Sequence, residues 1–446
     1  MALSKCVGRR YIFREEALRL DRKAIRGWLM YDWANSAFAT TMMATVMPIF
    51  YSGVAASNLS GTKAEAYWGY TQSIAMLFVA VLSPVLGAVA DYMGSKIKFL
   101  TMFMLMGAAS CAAMAFVGEG DWLLASILLI IGTMGFAGGN TFYDALLADG
   151  VPMERRDVVS ARGYAYGYMG GGLLLLVNIL MLQNFELFGF PTKTFATQMV
   201  FITVGIWWFV FSLPLLRSVK EPVKKVKVGF GTALGKGFTR LRGTLRTLKR
   251  YPELLKYMAS FLFFNDGINT VVIMATIYGQ GIGINTDDMI KALLITQFVG
   301  FPCTIVFGRL AARFGSKKLL YVSLWFYVVI VILGYFMTTS LHFYLLAIMV
   351  GVVQGGSQAI SRSIYSGMVP PSKSGEFFGF LSLSSKFSSV VGPLLFSVVA
   401  TVTGSTRVAI LSLIALFVIG IVLLMFVNLT KGRAEALAGD DGAAEA

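Results

Sequence analysis

One histidine, His342, and three cysteines, Cys6, Cys111 and Cys303, are all that 446 residues supply of those types, and the cysteines lie far apart with no CxxC pair. Metal clusters, redox pairs and histidine-based catalysis each need several such groups at short spacing, so the sequence argues against all three. It offers no nucleophile with an accompanying base, and an enzyme is not expected. The phosphate loop GxxxxGK[ST] is missing too, and no cytosolic domain to hold a nucleotide is apparent, so ATP-driven pumping is not expected and no cofactor is implied. Charge is scarce, at 14% Asp, Glu, Lys and Arg.

What is abundant is apolar: 57% of residues are hydrophobic and the mean hydropathy is +0.71. A soluble domain of this make-up would expose far more apolar surface than such domains tolerate. Spanning a bilayer takes roughly 20 helical residues. Candidate spans fall near 28–53, 66–92, 97–118, 122–149, 160–182 and 197–216, then near 254–281, 289–312, 318–339, 342–367, 376–402 and 405–429. The expectation is an all-α integral membrane protein of twelve transmembrane helices in two six-helix bundles, 28–216 and 254–429. Residues 1–27 read as a basic cytoplasmic N-terminus and not as a secretory signal, because Arg9, Arg10, Arg14 and Arg19 are interleaved with Glu15 and Glu16 before any apolar run.

The net charge of +15 follows topology. Basic residues crowd the N-terminus, the turns at Lys96 and Lys98, Arg155 and Arg156, Lys317 and Lys318, and the start of the tail at Lys431 and Arg433. All fall on one side if the helices alternate, and the positive-inside rule makes that side cytoplasmic, with both termini there. Charge spread along membrane edges does not suit nucleic acid. The 217–253 connection carries Lys220, Lys224, Lys225, Arg240, Arg242 and Arg246, with Phe230, Leu234, Phe238, Leu241, Leu245 and Leu248 at spacings of three and four. It reads as a basic amphipathic helix on the membrane surface, where lipid is its partner. Residues 430–446, rich in Ala, Gly and acids, read as a disordered tail.

The halves repeat in detail. Asp32 and Asn35 stand three residues apart in the first span, as Asp266 and Asn269 do in the seventh. Gly87-x-x-x-Asp91-x-x-Gly94-Ser95-Lys96-x-Lys98 follows the second span, and Gly308-x-x-x-Ala312-x-x-Gly315-Ser316-Lys317-Lys318 the eighth, with alanine facing Asp91. Gly138-Gly139 and Val151-Pro152 match Gly355-Gly356 and Val369-Pro370. These ordered matches indicate duplication of a six-helix unit.

The 6+6 layout and the GAVADYMGSKIK turn resemble the major facilitator superfamily, whose turn between helices two and three reads G-x-x-x-D-x-x-G-x-[RK]-x-[RK]. More narrowly, YDWANSAFATT and FFNDGINT resemble the vacuole-effluxer-like family related to autophagy-linked fungal vacuolar amino-acid exporters. The resemblance implies the major facilitator fold, secondary transport by alternating access, amino-acid export as the best-known activity, a monomer, and, for a bacterial member, the inner membrane. The fourth helix departs from it. It has no Arg where many proton-driven relatives carry one, so proton coupling through that residue is not implied.

Carboxylates and amides on one helix face cannot point at lipid cheaply. In the superfamily the first and seventh helices line the cavity, so Asp32, Asn35, Asp266 and Asn269 are candidates for binding substrate or a coupling H⁺ or Na⁺. Capping or helix–helix hydrogen bonding is their alternative role. Lys386, ten residues into the eleventh span, is a candidate carboxylate binder. The Gly139–Gly356 match sets Asp144 beside the equivalent of Arg362. Resemblance places helices four, five, ten and eleven at the cytoplasmic closure, so Asp144 or Asp149 is expected to pair with Arg362, and Arg162 or Lys386 with Glu376. Gly87, Asp91, Gly94, Lys96 and Lys98 are expected to hold the cytoplasmic turn. The function expected is transport of a small polar solute such as an amino acid. A lipid or amphiphile transporter and a sensor with a transporter shape are the alternatives, and the sensor lacks an output domain.

Overall fold

The structure, a computed structural model, describes residues 20–59, 61–219, 221, 239, 243, 248–281 and 283–444. Among these there is no strand, and long helices follow one another with short turns between them. In order they are α1 (Arg22–Ala55), α2 (Gly61–Met93), α3 (Lys96–Ala113), α4 (Trp122–Gly150), α5 (Arg156–Gln183) and α6 (Lys193–Ser218). The second set is α7 (Pro252–Gly281), α8 (Thr286–Phe314), α9 (Ser316–Tyr335), α10 (Ser340–Gly367), α11 (Ser374–Thr403) and α12 (Thr406–Met425).

Among the described residues, eleven of these are long and apolar enough to cross a membrane. In the twelfth, α11, the described side chains include the apolar run Val391–Thr403. Helix starts are set by side chains that accept otherwise orphaned N–H groups. Asp21 accepts the Ala24 N–H at 2.7 Å, Thr192 that of Phe195 at 3.1 Å and Ser405 that of Val408 at 3.4 Å. Gly94 and Gly315, paired by the repeat, both adopt positive φ, +60° and +98°, at the α2–α3 and α8–α9 turns. Each lets one helix end and the next begin at once.

Burial divides into two cores. One gathers α1 to α6 around Trp208, Phe201, Phe38 and Tyr51; the other gathers α7 to α12 around Phe264, Tyr327, Phe417 and Phe377 and takes in Ala145 and Ala148 from the end of α4. Leu77, Val81, Phe209, Trp325 and Leu394 are exposed along the helices, as lipid-facing positions should be. The bundles meet where α2 packs on α11 and α5 on α8. A Cβ on Gly87 would overlap the Gly375 carbonyl, so glycine is what permits the α2–α11 approach.

One expectation is corrected. The tail expected to be disordered is helical, α13 (Leu429–Ala444). Its start is capped by Asn428, whose Oδ1 accepts the Lys431 N–H at 3.1 Å, and Ala436 is buried. Glu253 anchors it by accepting the Asn428 N–H at 2.7 Å, while the Glu253 N–H reaches Glu435 at 3.2 Å. Of the 217–253 connection, most residues lie outside those described, as do residues 1–19. Glu221 is described: its carboxylate accepts the Ile97 N–H at 3.0 Å in the first turn of α3, and burial pushes its pKa above the usual carboxylate range.

Candidate functional site

Asp32 and Asn35 share one face of α1, and polar residues recur at the same helical spacing on the helices opposite. These are Asn140, Tyr143 and Asp144 on α4, Ser160, Tyr164 and Tyr168 on α5, and Gln354, Gln358 and Arg362 on α10. A central chamber of about 290 Å³ is lined by Asp32, Asn35, Asn140, Asp144, Tyr164 and Arg362, among others, with Gln297 from α8 and Gln354 completing it. Asn35 Nδ2 donates to Asn140 Oδ1.

Arg362 closes one end of this chamber. Its Nη1 lies 2.9 Å from Asp144 Oδ1 and its Nη2 3.6 Å from Asp32 Oδ2. Nε donates to Ser160 Oγ at 2.9 Å and Nη2 to the Ser160 carbonyl at 3.0 Å. The guanidinium carbon sits 4.3 Å from the ring centre of Tyr164, 4.9 Å from Trp28 and 5.4 Å from Tyr143. Tyr143 in turn donates to Asp32 Oδ2 at 2.9 Å and stacks on Trp28 at 4.3 Å. A buried guanidinium held by two carboxylates, a hydroxyl and aromatic faces has its lost hydration replaced. Gly163 makes room for it, since a Cβ there would press on Trp28, Asp32 and Arg362.

A second layer of contacts lies toward the face that carries Arg22 and α13. Asp91 accepts the N–H groups of Gly375 at 3.1 Å and Glu376 at 2.8 Å, the first turn of α11, where a negative charge is favoured. Lys96 Nζ lies 2.9 Å from Asp91 and also bonds Asp149 and Ser374 Oγ. Arg156 donates to the carbonyls of Ala148 and Val151 at the end of α4 and of Ser366 at the end of α10. Asp157 accepts from Ser316 Oγ at 2.7 Å, joining α5 to the α8–α9 turn. Through these groups the two halves are sealed together on this basic face.

The expected residues distribute unevenly. Asp32, Asn35, Asp144 and Arg362 come together. Asp149 does not reach Arg362; five residues beyond Asp144 it has turned to another side of α4 and pairs with Lys96. Arg162 does not pair with Glu376: it is exposed, just past buried Ser160 and Ala161, whereas Glu376 is fully buried. Asp266 is buried beside Thr270, whose hydroxyl lies 3.4 Å from its Oδ1, and Asp266 and Asn269 do not line the chamber that Asp32 and Asn35 line. Neighbouring Asn265 instead accepts from Gln358 at 3.0 Å. Lys98 is exposed, apart from Asp91 and Lys96. The side chain of Lys386 lies outside those described.

Sequence reasoning passed over Asn140, Arg156, Asp157, Ser160 and the three glutamines Gln297, Gln354 and Gln358 as site residues. The Val151-Pro152 match to Val369-Pro370 already sets Arg156 and Asp157 opposite Ser374 and Gly375 in the repeat, which was the available signal. It also accounts for the alanine facing Asp91. On one side of the pseudo-two-fold the acid, Asp91, belongs to the turn and reaches the opposing helix start; on the other the acid, Asp157, belongs to the helix start and reaches the turn.

Comparison with known proteins agrees with the architecture. The profile of the family described as vacuole effluxer Atg22 like matches residues 59–149 and 148–437. An uncharacterized MFS-type transporter of Bacillus subtilis, YxiO, is 39% identical over 414 residues, covering 91% of this chain and 95% of that protein. Autophagy-related protein 22 of Saccharomyces cerevisiae is 22% identical over 494 residues, covering 92% and 93%. Among solved structures, the major facilitator proton:xylose symporter XylE superimposes with a TM-score of 0.71 at 17% identity, over 94% of this chain and 97% of that one. The transporter FucP in its outward conformation gives 0.64 at 15% identity, over 91% and 98%.

Proposed function

The chain belongs to the vacuole effluxer Atg22-like family of major facilitator transporters, a multi-pass membrane protein and not an enzyme, and from that premise we propose that it moves amino acids or related zwitterions by alternating access. The observation that carries this reading is the central chamber. Carboxylates and amides from α1 and α4 face it, with the Arg362 guanidinium at its closed end. An ammonium group fits Asp32, Asn35 and Asn140; a carboxylate fits Arg362 and the tyrosine hydroxyls. A solute carrying both charges satisfies both ends.

The basic face is the cytoplasmic one in this reading, by the distribution of Lys and Arg, with both termini on it in a bacterial inner membrane. The conformation is then closed to the cytoplasm and the chamber is reached from the opposite face. Arg362 with Asp144 and Asp32, Asp91 with the N–H groups of Gly375 and Glu376, Lys96 and Asp149 with Ser374, and Asp157 with Ser316 form the cytoplasmic gate. Their cost of separation, a few kcal/mol, is of a size that solute binding can overturn. Asp266 is assigned to coupling. Its Oδ2 is buried with no hydrogen-bond partner among the described residues, and an ionisable group at membrane depth is by default a candidate for a functional role. The protein acts as a monomer.

The test is counterflow of a labelled amino-acid mixture into liposomes holding the purified protein, with and without imposed proton and Na⁺ gradients. Saturable exchange lost in Asp32→Asn supports the assignment. Silence across all amino acids overturns it and leaves the fold untouched.

A further inference from the structure

A second cavity, of about 300 Å³, opens from the central one inside the C-terminal bundle. The two share Ala39, Thr40, Gln297 and Gln354 as lining residues, so they are continuous there. Their chemistry differs sharply. The central chamber holds the charged groups of the site, whereas the second is walled by α7, α8, α9, α10 and α12 with Val271, Leu293, Val331, Met337, Phe343 and Val350. Among the described residues its lining contains no ionisable side chain but Tyr278, and that hydroxyl is spent on the Gly334 carbonyl at 2.8 Å. In the N-terminal bundle the corresponding interior is filled by aromatic side chains, with Phe38 stacked on Phe136 at 5.4 Å and packed on Trp208 at 5.5 Å.

From this pairing we propose that the transported solute is amphiphilic. Its charged head sits among Asp32, Asn35, Asn140 and Arg362, and an apolar body larger than a single aliphatic side chain enters the C-terminal chamber. Cavities that hold a whole drug-sized ligand begin at about 300 Å³, so an alanine or serine bound at the head site would leave this chamber without contacts. A continuous apolar void beside a polar one favours a ligand with both characters, since water gains few partners there. The inference rests on the reading that the central chamber binds solute, and adds that the halves divide recognition between them.

The experiment measures affinity of the purified full-length protein for α-amino acids with straight side chains of one to eight carbons, and in parallel for n-alkylamines of the same lengths. In the native protein, affinity is expected to climb with each added methylene, by roughly fourfold, the factor for burial of one CH₂. Ala347→Phe and Val350→Trp, which fill the chamber from α10, are expected to flatten the climb beyond two or three carbons while binding alanine and ethylamine as the native protein does. That retained binding also reports that the variants fold. A flat series in the native protein, or a climb unchanged in both variants, overturns the proposal. A climb for the amines with silence from the amino acids upholds the apolar chamber and overturns the zwitterion reading. Silence from both series removes the reading on which the chamber depends.

Discussion

Asp144 of α4 and Arg362 of α10, 218 positions apart, meet at 2.9 Å across the interface of the two bundles. Asp32 stands on the other side of the same guanidinium at 3.6 Å. The interface is thus held at its centre by one cation shared between two anions.

Loss of that cation should loosen the sealed face. Removing one member of a buried pair typically costs about 3–5 kcal/mol, and here the cost falls on the sealed conformation alone. In a cysteine-free background with Ala148→Cys as reporter, Arg362→Ala is expected to speed labelling by a membrane-impermeant maleimide applied from the basic face by roughly two to four orders of magnitude. Unchanged labelling would defeat the gate.

The contact between Asp157 and Ser316 should behave as a second, weaker latch. Asp157→Ala and Ser316→Ala are each expected to raise the same labelling rate roughly tenfold, as for a hydrogen bond to a charged group of about 1.5 kcal/mol. The double variant should label no faster than Asp157→Ala. Additive effects would show that the two side chains act separately.

Gly87 tests packing apart from charge. An added methyl meets the Gly375 carbonyl, and overpacking of this kind costs about 1–3 kcal/mol. Gly87→Ala should shift the population toward the state in which α2 and α11 separate, read as faster reporter labelling with every ion pair intact. A labelling rate equal to the native one would mean that the helices give way without cost.

Asp266→Asn separates coupling from binding. Asp266 is absent from the chamber lining, so counterflow exchange should survive in this variant while the response to an imposed proton gradient is lost. Loss of exchange as well would return Asp266 to the binding site, and a retained gradient response would remove it from coupling.

The repeat made the most specific features legible. Helices, turns and the opposition of Asp144 to Arg362 follow from apolar runs and from one offset, because a duplicated unit places equivalent residues across a pseudo-two-fold. Rotation about a helix axis was harder to read. Arg162 and Asp149 lie in the expected helices but on other faces, since each residue turns the side chain by about 100°. Asp266 repeats Asp32 in sequence and not in surroundings, because α7 presents it to Thr270 and not to the chamber. The repeat sets Arg156 opposite Ser374, but it does not mark the backbone carbonyls that are its partners. The tail read as disordered from composition, and its helix depends on Glu253, nearly two hundred residues away.

Both anions around Arg362 sit on α1 and α4, in one bundle, and the cation sits on α10, in the other. Parting the bundles therefore separates unlike charges. The N-terminal wall is left with two facing carboxylates, short of a counter-charge that had been supplied from across the gap. An arriving ammonium or metal cation meets a stronger attraction in that state than in the sealed one, because the position it would take is then vacant. On the alternating-access reading proposed above, that wall would draw cations more strongly than it does while the arginine faces it.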